Sequence, residues 1–228
     1  MGRFGKCLPK ALPTVDSAAL TSHLPLGIEI TFDRVAMATE HTPPDHWSVV
    51  DRALVGPGYM ETLGIPLLRG RSFVERDRSD SLPVAVVNQT FVRKYLGKVS
   101  PIGQTIRLAE LSTFPDKVED PSFEIVGVVA DAKNQGLQEP PLPEAWIPYT
   151  VTGSGERGIL VRTVNDPLAQ LGAVRKEIWA TDRNVALTMT GSLEDFIGEF
   201  SLAGPRFGFL IMSLFAGIGL LLVTIGVY

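Results

Sequence analysis

The sequence predicts an α+β domain over residues 1–200 followed by a membrane-crossing helix over residues 201–228. Three observations carry that expectation. The run Phe207–Tyr228 (FGFLIMSLFAGIGLLLVTIGVY) holds no charged residue and shows no polar face. At ~1.5 Å per residue such a helix is about 33 Å long, enough to cross a hydrocarbon core of roughly 30 Å. Before it, short apolar runs alternate with helix-capping signals, strands and helices intermixed rather than segregated. Finally, 17 prolines and 22 glycines place many turns between short elements.

The elements follow in order. Residues 11–30 read as a short strand or helix pair with a proline turn. Residues 31–48 are polar and broken by Pro43 and Pro44, and read as a loop. Val49–Val55 alternates as a strand. Residues 57–64 read as a short helix closed by Gly64. Ile65–Leu68 is extended, Arg69-Gly70-Arg71 turns, and Phe73–Ser81 is a solvated loop. Pro83–Val87 is a buried-strand run, and Asn88 caps a helix that reaches Leu96 and stops at Gly97. Gln104–Leu108, Phe123–Ala130 and Ala145–Tyr149 are extended, with a polar loop over 109–121 and a Gly/Pro-rich connection over 131–143. Gly158–Val164 is a strand. Asp166 and Pro167 then start a helix as N-cap and first residue, with Leu168, Leu171, Val174 and Ile178 at helical spacing. Val185–Met189 reads as a strand, and Ser192-x-x-Asp195 opens a helix that leads through Leu202 to Pro205 and Arg206. The pattern gives β-α-β units at 83–108 and 158–189 and an open sheet with helices on one side.

Charge and motifs narrow the function. A net charge of −4 with no Lys/Arg cluster offers no field for nucleic acid. The single cysteine, Cys7, forms no internal disulfide. Residues 1–13 lack the apolar stretch of a signal peptide, so delivery of an exported domain needs an upstream segment. Gly153–Gly158 matches G-x-G-x-x-G, but the following residues read as a strand, not the phosphate-binding helix the motif requires. His23, His41, His46 and Asp45 share no fixed face across two prolines, so no metal site is expected. Glu75, Asp77, Arg78 and Asp80 read as an exposed charged loop rather than an acid/base pair. Asn88-Gln89-Thr90 is a formal glycosylation acceptor, but a helix cap is the better reading. No nucleophile elbow, zinc helix or P-loop is present. No catalytic residue, cofactor or metal is expected.

Several blocks, in order, resemble one family. Residues 56–73 (GPGYMETLGIPLLRGRSF) resemble the V-x-P-x-Y-F-x-T-L-G-I-P-L-L-x-G-R-x-F signature of MacB-like periplasmic core domains. Residues 84–91 (VAVVNQTF), 101–106 (PIGQTI) and 123–131 (FEIVGVVAD) resemble the stretches that follow it. Arg206-Phe207, Leu210, Phe215, Ala216 and residues 225–228 resemble the start of an FtsX-like permease helix. The subgroup most like it is the acidobacterial-type duplicated permeases.

The resemblance implies a non-catalytic permease component of an ABC-type transporter in a bacterial inner membrane. Its main domain would be extracytoplasmic, and its partners a cytoplasmic ATPase, a second permease copy and the lipid bilayer. It further implies a porter-like βαβ subdomain and an inserted, mostly-β subdomain at roughly 83–150. On this reading the chain is a piece of a longer membrane protein that relays motion between the ATPase and the outer domain. Pro205 and Arg206 mark the membrane junction, where Pro205 either bends the helix or starts it and Arg206 reaches head groups. Phe207, Leu210, Phe215, Leu220 and Tyr228 lie in the span. The alternatives are a single-pass anchored binding or adaptor domain without an ATPase, and an enzyme whose site is assembled from distant residues.

Overall fold

The computed structural model describes residues 8–9, 11–25, 31–39, 43, 46–77, 83–112, 118–134, 139–152, 158–200 and 203–227; side chains at 199–200, 203–206 and 227 are not described. Nine strands form one sheet system: β1 (Val15–Thr21), β2 (Phe32–Met37), β3 (Ser48–Val55), β4 (Leu67–Gly70), β5 (Val84–Asn88), β6 (Thr105–Leu108), β7 (Ser122–Val129), β8 (Glu144–Pro148) and β9 (Gly158–Thr163). The helices are α1 (Tyr59–Leu63), α2 (Gln89–Phe91, continued by a π-turn over Val92–Leu96), α3 (Pro167–Thr181), α4 (Leu193–Phe200) and α5 (Ala203–Val227).

The pairing closes on itself. Asp51 of β3 stands opposite Phe32 of β2 and also opposite Glu144 of β8. Those two strands therefore take opposite edges of β3. The order β2-β6-β7-β5-β8-β3 then returns to β2 and makes a ring of six strands. Each strand sends at least two buried side chains inward: Val35 and Met37, Ile106 and Leu108, Phe123, Ile125 and Val128, Ala85 and Val87, Ala145 and Ile147, Val50 and Leu54. Most pairs sit two residues apart, as the side-chain period of a strand requires. Phe91 and Leu96 of α2 close the ring's interior with Leu111. Along the remainder of β3, the chain passes to β1 through the pair Thr21↔Val55, and β9 lies beyond β1.

The outer faces are covered too. Val84, Val86 and Trp146 alternate with the inward set and pack against Tyr59 and Met60 of α1 and against Phe73. Hence β5 and β8 are buried at all five positions each. Their uninterrupted apolar sequences follow from that two-sided burial. On the far side, Val174 and Ile178 of α3 pack on Val15 and Ala18 of β1.

Two motif glycines are required by close backbone approach. A Cβ on Gly127 would lie 2.2 Å from the Arg71 carbonyl oxygen, and one on Gly70 would lie 2.1 Å from that of Val126. Gly70 also has φ +73, a conformation side chains disfavour. Where β4 meets β7, the two strands leave room for neither methyl.

The structure departs from the sequence reading in six places. Arg69 and Gly70, read as a turn, belong to β4, which pairs with β7. Phe73 and Asp77, in the stretch read as a solvated loop, are buried, Phe73 in the core and Asp77 under Arg71. Residues 32–37, read as loop, form β2, because the prolines that broke the pattern lie after the strand rather than in it. The sheet closes instead of staying open. The unit at 83–108 is not β-α-β in space: β5 is parallel to β7, and β6 is antiparallel to β7 on its other edge. Residues 185–189 form no strand, since β9 pairs only with β1 among the described residues.

One side chain ties three parts of this fold together. Asn88, fully buried at the end of β5, accepts from the Phe91 N–H at 2.8 Å and so caps α2. The same oxygen accepts from the Glu144 N–H at 3.1 Å, and its amide donates to the Leu142 carbonyl at 2.7 Å. Removing it strands buried polar groups on two other segments. Asn88→Ala should lower stability by about 2–4 kcal/mol. Asn88→Asp keeps the acceptor but sets a carboxylate oxygen against the Leu142 carbonyl at a fully buried position, so it should cost at least as much in denaturant unfolding of the detergent-solubilised chain at neutral pH.

Candidate functional site

The candidate site is the path from the folded domain to α5. It begins at α3, whose N-cap forms as the sequence predicts: Asp166 accepts from the Leu168 N–H at 2.9 Å, with Pro167 at the first helical position. After α3, residues 183–191 run as an irregular strap. Val185 and Leu187 pack on the Val174–Ile178 cluster. Trp179 donates from Nε1 to the Val185 carbonyl at 3.1 Å, and Arg175 donates to Thr190 Oγ1. The strap is thus held by side chains of α3, and among the described residues no backbone ladder supports it.

Ser192 then opens α4. Its hydroxyl donates to Asp195 Oδ2 at 2.6 Å and accepts from the Asp195 N–H at 3.1 Å. Ser192 thus caps the helix as read from the sequence, while the Asp195 carboxylate returns to the Ser192 hydroxyl rather than to its backbone N–H as in a full capping box. Helix α4 ends at Phe200; Ser201 and Leu202 lie outside the described residues, and α5 begins at Ala203. Pro205 and Arg206 fall in the first turn of α5. A proline there forgoes no intrahelical hydrogen bond, because the first N–H groups of a helix have no partner within it.

Within α5, Phe207–Gly226 is 20 residues long and none of it is buried. Phe207, Leu210, Phe215 and Leu220 are each at least two-thirds exposed; Tyr228 lies outside the described residues. The span's two hydroxyls are satisfied inside the helix: Ser213 donates to the Phe209 carbonyl at 2.8 Å and Thr224 to that of Leu220 at 2.5 Å. A helix in hydrocarbon has to satisfy its polar groups internally. Twenty apolar residues left bare in water would be a large aggregation surface, whereas lipid covers them at no such cost.

A buried polar cluster sits in the ring. Arg52 Nε donates to Asp33 Oδ2 at 2.9 Å, both side chains at 2% exposure or less. Asp33 Oδ1 accepts from the Glu110 N–H at 2.9 Å. Burial pushes the Asp33 carboxyl above the usual range, against the hydrogen bond from Glu110 and the charge of Arg52. Glu144 accepts from Asn134 Nδ2 at 3.1 Å on both carboxyl oxygens. Burial and the neighbouring Asp51 and Asp131 raise it to about 8, with Asn134 pulling the other way. Neither group lines the open groove of about 640 Å³ beside Gly56, Pro57 and Gly58. The sequence reading missed the pair because Asp33 lay in the stretch taken as loop and its partner is nineteen residues away.

The other sequence candidates resolve as structural parts. His23 lies between two hydroxyls, Ser22 Oγ at 2.7 Å from Nδ1 and Thr31 Oγ1 at 2.7 Å from Nε2. His46 is remote from any set of ligands, since no group of three potential ligands occurs among the described residues. His41 and Asp45 lie outside them, as do Cys7, Arg78, Asp80 and residues 153–157. Gly158, the last glycine of G-x-G-x-x-G, begins strand β9. Asp77 accepts two hydrogen bonds from Arg71, at 2.6 and 2.9 Å, and one from the Val74 N–H at 2.9 Å. Burial alone would raise its carboxyl, but these donors hold it below the usual range. It is a loop staple.

The family model of the MacB-like periplasmic core domain matches residues 9–180. Over 100 residues the chain is 30% identical to the macrolide export ATP-binding/permease protein MacB 2 of Aeromonas hydrophila subsp. hydrophila. That match takes in 44% of this chain and 14% of the relative, so the chain spans a small part of the relative's length. The fold is similar to the periplasmic region of MacB from Actinobacillus actinomycetemcomitans, with a TM-score of 0.52 at 16% identity over 78% of this chain and 72% of that one. It is also similar to a domain of a Porphyromonas gingivalis protein, with a TM-score of 0.50 at 15% identity over 86% and 88%.

Two expectations follow from the geometry. The folded chain holds the Glu144 proton up to about pH 8, while the unfolded chain releases it near the ordinary 4.5. Stability therefore falls as pH rises between those values. Glu144→Gln should flatten that slope by about 1–3 kcal/mol in denaturant melts. For the strap, Trp179→Ala removes both ring and donor, and trypsin should cut after Arg183 several-fold faster while the six-strand ring stays resistant.

Proposed function

The chain belongs to the MacB-like periplasmic core domain family, and from that membership we propose that it is a non-catalytic permease component of an ABC-type transporter. In this reading residues 1–200 form the extracytoplasmic domain, with an inserted piece at roughly 83–150 whose strands share the ring with β2 and β3. Residues 201–228 form one transmembrane helix in the inner membrane of a bacterium. A cytoplasmic ATPase supplies the energy; the 228 residues themselves carry no P-loop. A second permease copy faces this one across the transport path.

The observation that carries the proposal is the direct succession of a domain of this family and a fully bare apolar helix of membrane length. The physical role is relay of motion. A rigid helix transmits displacement along its axis, and the strap and α4 join that helix to α3 and the sheet. Pro205 and Arg206 mark the junction. In this reading Arg206 reaches head groups on the domain side of the bilayer, as long cationic side chains near a span's end do.

The test has two readouts. Cysteine is placed at exposed Val99 in a Cys7→Ser background and labelled in intact spheroplasts with a membrane-impermeant maleimide. Strong labelling is expected; labelling only after lysis would put the domain on the wrong side. In parallel, ABC-type ATPases from the same genome are purified and asked to bind the complete permease subunit in detergent. Co-elution is expected. Correct labelling without co-elution would favour an anchored adaptor that works without an ATPase.

A further inference from the structure

Helix α4 carries a feature that a plain spacer between the domain and the span would not need. Its apolar residues Leu193, Phe196 and Ile197 recur at i, i+3 and i+4, a single stripe. Glu194 and Asp195 point to the opposite side and are exposed. They also sit in the first helical turn, where negative charge is favoured by the helix dipole, and Asp195 is held by Ser192. Leu193 is 38% exposed, and Phe196 and Ile197 are each half-buried. The domain's own core clusters contain none of the three.

What covers the stripe follows from where the helix must lie. Phe200 ends α4 and Phe207 begins the span. Three residues of extended chain and four of helix separate them by at most ~16 Å. The head-group layer on each side of a bilayer is roughly 5–8 Å deep. The end of α4 is therefore held at or close to the lipid surface whatever path the chain takes. An amphipathic helix at that depth, with a short apolar stripe and acids opposite, is stable lying in the interface plane. Its polar face is acidic rather than basic, so the attraction is apolar and not electrostatic.

We propose that α4 lies in the water–lipid interface, with Leu193, Phe196 and Ile197 seated against the upper acyl chains and Glu194 and Asp195 facing water. This rests on α5 being a membrane span. The helix then acts as a float. It fixes the height of the strap above the bilayer and turns a tilt of α5 into a sideways pull on α3. Because the polar face is acidic, anionic lipid weakens the seating.

The test uses the full chain with Cys7→Ser, reconstituted in phosphatidylcholine vesicles. Single cysteines at Leu193, Glu194, Asp195, Ile197 and, in the span, Leu214 each carry an environment-sensitive fluorophore. Quenching is read with phosphatidylcholine bearing a nitroxide high or low on its acyl chain. The expected result is several-fold stronger quenching at 193 and 197 than at 194 and 195, greater with the shallow nitroxide. Leu214→Cys should be quenched best by the deep one. Adding phosphatidylglycerol should reduce quenching at 193 and 197 and leave 214 unchanged. Equal, weak quenching at all four α4 positions with 214 still quenched overturns the interfacial helix and leaves the span intact. Loss of quenching at 214 as well overturns the membrane reading and this proposal with it.

Discussion

The buried amide of Asn88 is the constraint on which the arrangement of the domain depends. Its carbonyl oxygen serves the first turn of α2 and the first residue of β8, and its NH₂ serves the chain entering β8. Asp131, just past β7, completes the same corner by accepting from the Thr90 N–H at 2.7 Å and from Arg93 at 2.9 Å. Two side chains thus hold β5, β7, β8 and α2 together at one corner of the ring. The ion pair of Asp33 and Arg52 does equivalent work at the β2–β3 seam, with a larger penalty for losing one partner because the other charge would stay buried.

That corner explains why the family's sequence blocks look as they do. The asparagine of the V-A-V-V-N block and the aspartate of the I-V-G-V-V-x-D block feed one helix end. The glycines of the L-L-R-G-R and I-V-G-V-V blocks meet across β4 and β7, where a Cβ on either would strike a carbonyl oxygen. Gly64 closes α1 in a left-handed conformation, with the Ile65 N–H returning to the Met60 carbonyl at 2.8 Å. Arg162 adds a donor to the same helix end, 2.7 Å from the Thr62 carbonyl. Spacing shows that these residues belong together; only geometry shows that they serve three joints.

Local signals were the legible ones. Caps at Asn88, Asp166 and Ser192, the glycine stop at Gly64 and the burial of β5 could all be read from neighbours within a few residues. The bare span was legible from composition alone. Long-range facts were not. Closure of the ring depends on Asp51 serving two strands at once, which no local pattern encodes. Strand β2 was hidden by the prolines that follow it, and residues 185–189 have strand-like composition but are held on α3 by their side chains instead of pairing with the open edge of β9. The strap's role became visible only with Trp179 and Arg175 reaching across to it. The membrane junction at Pro205 and Arg206 was placed by resemblance, and its part in coupling is a proposal.

The central claim is that motion of the span reaches the domain through α4 and the strap. The direct measurement is the distance between spin labels at exposed Lys176 on α3 and Met212 in α5, in the permease assembled with its ATPase and carrying Cys7→Ser. Relay of motion predicts that the distance distribution shifts between the nucleotide-free and ATP-trapped states. Identical distributions in both states, with the ATPase turning over normally, would contradict it.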